Sequence, residues 1–180
     1  DILAKAKTDM ENALHTMKVS FRLIGDFLHE EQGDEHKDYV TWIQTKTYSL
    51  SAGATVKDLL EKALDETGLQ ETGADDGYVS SILAPEALGG YWLSEMDNGA
   101  NSGWMYTVNG EHPDQALNDF TLEAGDKVIW HYVDDYTTEA DAETWLKAAD
   151  ISPEEYAKQK LARIVQVIGG GTVEPTLGFS

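Results

Sequence analysis

The segment Thr55-Val56-Lys57-Asp58-Leu59-Leu60-Glu61-Lys62-Ala63-Leu64-Asp65-Glu66-Thr67-Gly68 decides how this chain folds. Val56, Leu59, Leu60, Ala63 and Leu64 recur at the spacing of a single helical face. Thr55 stands at the cap position, and Asp58, three residues on, completes a capping-box arrangement. Gly68 falls where a left-handed C-terminal cap is expected. The pattern predicts a helix over 55–66 that crosses back over a sheet.

The segments on either side change period from 3.6 to 2. Upstream, Val19, Phe21 and Leu23 alternate, and so do Val40, Trp42, Tyr48 and Leu50, which predicts a hairpin. Downstream, Tyr78–Leu83, Tyr91–Glu95, Trp104–Val108 and Lys127–Val133 read as short strands. Turn signals at Asn109-Gly110 and Ala124-Gly125-Asp126 divide them. Two strands, a helix and then more strands is an α+β order. It implies a β-grasp-like mixed sheet with one packed helix.

Both ends read as helical. Leu3, Ala6, Met10, Ala13, Leu14 and Met17 share helical spacing. Thr138 with Asp141, and then Ser152-Pro153-Glu154-Glu155, mark helix starts. The second is followed by an apolar stripe from Tyr156 through Leu161, Ile164 and Val165 to Ile168, which stops at Gly169-Gly170-Gly171. The expected organisation is an N-terminal helix or linker over 1–17, a compact domain over 18–136 and a helical extension or linker over 137–180. A chain that begins at Asp1 and ends at Ser180 in mid-pattern is read as a piece of a longer or processed protein.

Composition removes whole classes of function. Of 180 residues, 33 are Asp or Glu and 13 are Lys or Arg, a net charge of −20. Such a field repels phosphate backbones and anionic lipid, so neither nucleic acid nor a membrane surface is an expected partner. No apolar run reaches the roughly 18 residues that a spanning helix needs. The absence of cysteine excludes disulfides, thiol nucleophiles, thiolate zinc sites and iron–sulfur clusters.

Catalytic and nucleotide motifs are missing. There is no G-x-x-x-x-G-K-[ST], G-x-G-x-x-G, G-x-S-x-G or H-E-x-x-H. His29 and His36 enclose four acids, a set suited to zinc or manganese, but a charge run of this kind reads first as a solvated hairpin loop. Asp97-Asn98-Gly99-Ala100-Asn101 has the oxygen content of a calcium loop, yet it departs from the EF-hand template at the third, sixth and twelfth positions. Asp134, Asp135, Glu139, Asp141 and Glu143 read as an acidic helix start. No cofactor, metal site or catalytic residue is expected, and the chain reads as a non-enzyme.

The five tryptophans carry more information. Trp42 and Trp130 fall at core positions of strands, and Trp145 lies on a helix. Trp92 and Trp104 flank the polar loop Ser94–Gly103, where aromatics beside Asn and Gly either form a flat platform for a sugar or macrocycle or pack at a sheet edge.

The stretch Ser102-Gly103-Trp104-Met105-Tyr106-Thr107-Val108-Asn109-Gly110 leads on to Pro113, Ala116, Phe120, Leu122, Gly125-Asp126 and Val128-Ile129-Trp130-His131-Tyr132. This order of strand aromatics and turns resembles the transcobalamin-like C-terminal domain family, including members in bacterial surface proteins. Gly53–Leu60, Gly77-Tyr78-Val79 through Ile82, and Gly90 fit the same resemblance, which spans Val19–Val133. It implies a β-grasp fold. It also implies a non-catalytic binding or interaction module of a secreted or cell-surface bacterial protein, extracellular or cell-wall-associated, with other domains of that protein as partners. The alternative it implies is a small-molecule carrier for a corrinoid-like ligand. Matching the motif's ligand-side strand and the preceding loop gives Trp92, Asn98, Asn101, Trp104 and Tyr106 as candidate ligand-binding residues.

Overall fold

A computed structural model of the protein describes residues 2–7, 15–26, 39–97, 99–133, 135–137, 146 and 148–169. Residues 2–7 are helical. The named elements then run β1 (Thr16–Asp26), β2 (Tyr39–Ser51), α1 (Val56–Thr67), β3 (Glu71–Thr72), β4 (Ser81–Leu83), β5 (Trp92–Ser94), β6 (Gly103–Val108), β7 (Lys127–Val133) and α2 (Pro153–Gly169).

The main sheet has the order β2-β1-β7-β6. β1 and β2 form an antiparallel hairpin pair from Thr16 opposite Ser51 to Asp26 opposite Tyr39. β1 lies parallel to β7, with Ser20 opposite Lys127 and Ile24 opposite His131. β6 closes the far edge antiparallel to β7. A parallel central pair flanked by antiparallel strands, with one helix across a face, is the β-grasp arrangement the sequence predicts. β3, β4 and β5 do not extend this sheet; they form a second, three-stranded sheet.

α1 is capped at both ends as its sequence demands. The Asp58 amide donates to Thr55 Oγ1 and the Thr55 amide donates to Asp58 Oδ2. Gly68 takes the left-handed conformation, φ 75°. Two further N–H groups of the first turn, which a helix cannot satisfy internally, donate to the loop that precedes β7: Val56 to Phe120 O and Lys57 to Leu117 O. Val56, Leu59, Leu60, Ala63 and Leu64 are buried against Val19, Phe21, Trp42, Tyr48, Trp104 and Trp130 in one hydrophobic core.

The opposite face of the sheet is covered as well. Arg22 is buried, and its guanidinium donates to Thr41 Oγ1 at 2.7 Å and to Ala148 O at 2.6 Å. Thr41 Oγ1 donates to Ala149 O, and the Thr45 amide donates to Asp150 Oδ1. Residues 148–150 are thus fastened across β1 and β2. Ser152 then caps α2 through the Glu155 amide, and Tyr156 packs against the core.

Several boundaries differ from the sequence reading. Met17 belongs to β1, opposite Leu50, and is buried; the predicted N-terminal helix is described only at residues 2–7. Tyr78 and Val79 precede β4 and are not in a strand. The predicted features at His29–His36, Asp134, Thr138, Glu139, Asp141, Glu143 and Trp145 lie outside the described residues.

Candidate functional site

An aromatic cleft of about 210 Å³ lies beside the outer strand β6. Trp104 and Tyr106 of β6 and Trp130 of β7 share the face of the sheet that meets the core, because strand side chains alternate. Two loops wall the space above them, residues 77–79 on one side and 112–117 on the other.

Glycines place the first wall. Gly73 has φ 99°, and a Cβ there would stand 2.3 Å from the Tyr78 carbonyl oxygen, so the tight turn that delivers Tyr78 needs a residue without a side chain. Gly103 matters by close approach: its Cβ would meet the Tyr78 hydroxyl at 2.8 Å. The second wall is tied down by hydrogen bonds. Tyr106 Oη donates to Gln115 O at 2.7 Å, and Leu117, itself buried, receives the Lys57 amide of α1.

The rings inside are close-packed on one side and open on the other. Tyr106 lies 5.1 Å from Trp130 with the planes 32° apart. Tyr78 is 45% exposed at the rim. The His112 ring, at the rim, stands 5.4 Å from His131. His131 is fully buried, and burial, reinforced by His112, holds its pKa well below the usual histidine value. Trp130 Nε1 is buried with no hydrogen-bond partner. An unsatisfied buried donor costs about 1–3 kcal/mol, so this N–H is a local cost to the fold.

Burial and then the Glu95 carboxylate push the Tyr78 phenol up; burial and then Asp119 push Tyr106 up to about 12. Both phenols therefore stay neutral at physiological pH. The site offers aromatic faces and two neutral hydroxyls. It has the character of a binding site, apolar with a few polar groups.

The structure brings together two of the five residues picked out by the sequence, Trp104 and Tyr106. Trp104 is 2% exposed; it packs against Trp42 and Tyr132, and its Nε1 donates to Leu93 O. It lines the cleft from beneath and offers no open face. Trp92 is 42% exposed on β5 and is not part of the cleft lining. The Asn101 carbonyl accepts from the Tyr136 amide in the loop before β6. Asn98 lies outside the described residues. Tyr78, His112 and Trp130 complete the site and were not singled out by sequence for it. Their signals were Gly77 before Tyr78, the Asn109-Gly110 turn before His112, and the shared parity of Trp130 with Trp104 across the ladder.

The calcium-like loop closes on itself: Asp97 Oδ2 accepts from the Ser94 amide and Ser102 Oγ donates to Gly99 O. Among the described residues, no three His, Asp or Glu side chains converge as a metal site. Among them, too, no helix is long and apolar enough to cross a membrane.

Comparison with known proteins adds the following. No curated protein matches the chain. Haptocorrin in complex with cobinamide aligns over 67% of this chain and 25% of its own length, at 13% identity and a TM-score of 0.39. The chain thus spans a quarter of that protein. A protein from Ruminococcus gnavus ATCC 29149, described as a candidate metal-binding protein, aligns over 67% of this chain and 99% of its own, at 13% identity and a TM-score of 0.38. At that identity and score, neither carries a residue or a ligand over to this chain. A family model matches residues 53–134, from the turn before α1 to just past β7, inside the span of the transcobalamin-like resemblance. Over those residues the chain is similar to the family described as a domain of unknown function, DUF4430.

Proposed function

We propose that this chain is a non-catalytic binding module whose ligand enters the cleft between Tyr78 and the loop 112–117. One observation carries the reading: a cleft of about 210 Å³ walled by the aromatic side chains of Tyr78, Trp104, Tyr106 and Trp130 and open at the Tyr78 rim. Aromatic walls with a few polar groups are what a small-molecule site is built from. The module belongs, in this reading, to a secreted or cell-surface protein, extracellular or wall-associated, and other domains of that protein are its neighbours. The acidic, cysteine-free composition and the absence of catalytic motifs support it.

Size bears on the corrinoid alternative. Sites that enclose a drug-sized ligand measure roughly 300–1,000 Å³, so 210 Å³ holds one substituent of a macrocycle and not the macrocycle. A corrinoid would bind here only by an edge group, and weakly. The test is an indole-region NMR titration of the labelled protein with cobinamide, mono- and disaccharides and small amines. The reading expects the Trp130 Nε1–H resonance to move with one of them, and to move less in Tyr106→Leu. A panel that leaves that resonance in place while shifting Trp92 would put the ligand elsewhere and sink the cleft as the site.

A further inference from the structure

The composition of the cleft and the charge around it narrow the ligand class. We propose that the cleft takes a small organic cation, a quaternary or methylated ammonium. This rests on the reading of the cleft as the ligand site.

Aromatic rings attract cations through their negative faces, and the attraction grows when the cation is desolvated. Tyr78 and Tyr106 stand at the accessible part of this cleft, backed by Trp104 and Trp130. Among the described residues, no Lys or Arg lines it. Lys57, near the 77–79 wall through its partner Asp75, is ion-paired with it at 2.9 Å. The carboxylates of Glu95 and Asp119 are close enough to Tyr78 and Tyr106 to act on their hydroxyls. The chain as a whole carries −20. An anionic ligand would meet that field unfavourably; a cation is drawn in by it.

Volume fits the same class. The cleft corresponds to about seven waters of liquid volume, and it exceeds the roughly 150 Å³ that suffices for benzene. A trimethylammonium group on a two-carbon alcohol is of that size. Its methyl groups would lie against the tyrosine rings. A primary amine is more strongly hydrated, and hydrogen bonds in place of methyl contacts would suit these rings less well.

The experiment compares choline with its uncharged isostere 3,3-dimethylbutan-1-ol on the full chain, followed by calorimetry and by the Trp130 indole resonance. The expected result is that choline binds at least tenfold more tightly, that the preference weakens as salt rises, and that Tyr106→Leu removes it while the protein stays folded by circular dichroism. Gly103→Ala serves as a second variant, since a methyl group there displaces the Tyr78 hydroxyl without touching the core. Equal binding of the two compounds at the Trp130 resonance overturns the cation class and leaves the cleft as the ligand site. No response to either compound also overturns the cation class. If cobinamide or a sugar then moves that resonance, the binding-module reading survives; if nothing in the panel does, both fall.

Discussion

Glu61 shows how one side chain can report on pH. It sits on α1 beside Glu71 of β3, and its pKa is pushed up to about 7, first by burial and then by the hydrogen bond and charge of Glu71. A carboxyl group with a raised folded pKa binds its proton more tightly in the folded state. Its contribution to stability is therefore full below the unfolded value, near 4.5, and is lost as pH climbs through 7. Glu61→Gln, which imitates the protonated acid, is expected to be more stable than the parent at pH 8, with the gap closing by pH 4.5. Urea midpoints at the two pH values check this. His131 acts in the opposite direction. Its folded pKa is depressed, so the unfolded chain takes up the proton first and stability falls as pH drops below about 6.5. His131→Leu should flatten that acid limb in the same urea series, leaving the slope above pH 7 unchanged.

At the scale of elements, α1 and the strap at 148–150 differ in how plainly the sequence announces them. Thr55, Asp58 and Gly68 are local signals, each read within four residues of its partner, and the helix forms as they dictate. Thr55→Ala should cost about 1 kcal/mol, measured by thermal or urea unfolding. Lys127–Val133 was legible for the same reason, a run of alternating apolar residues bounded by a turn. The strap was not. Arg22 looks like an ordinary polar position of a strand, and nothing in its neighbourhood says that Ala148 and Asp150 will meet it. Replacing it by Leu should leave Thr41 Oγ1 and the Ala148 carbonyl each short of a donor and cost about 1–3 kcal/mol. Amide exchange at Thr45 and Ile151 should speed up with it, while α1 amides keep their protection. The site was half legible on the same grounds. Trp104 and Tyr106 belong to a motif that is continuous in sequence. Tyr78 and His112 reach the cleft only because two separate turns bend towards one strand, and pairing of that kind leaves no local trace. Trp92 matches the same motif, and the fold places it on β5, outside the cleft lining.

For the whole molecule the dominant long-range quantity is the excess of acid, 33 carboxylates against 13 basic side chains. Compacting that charge is self-repulsive, and salt screens it over a distance of about 10 Å at 0.1 M. The melting temperature is expected to rise by several degrees between 10 and 200 mM sodium chloride, and calorimetry that showed a flat or falling trend would mean local ion pairs outweigh the net charge. The order of strands has a different consequence, one for time. β1 is placed at the centre of the main sheet, yet its neighbour β7 is the last of the described strands to be made. Closing a loop that long precedes any reward from the pairing, so folding is expected to be slow for a chain of this length. A ribosome-bound chain that ends before Lys127 has its hairpin and its helix but no completed core. Such a chain stays pliable until β7 emerges, and closure of the main sheet waits on that one strand.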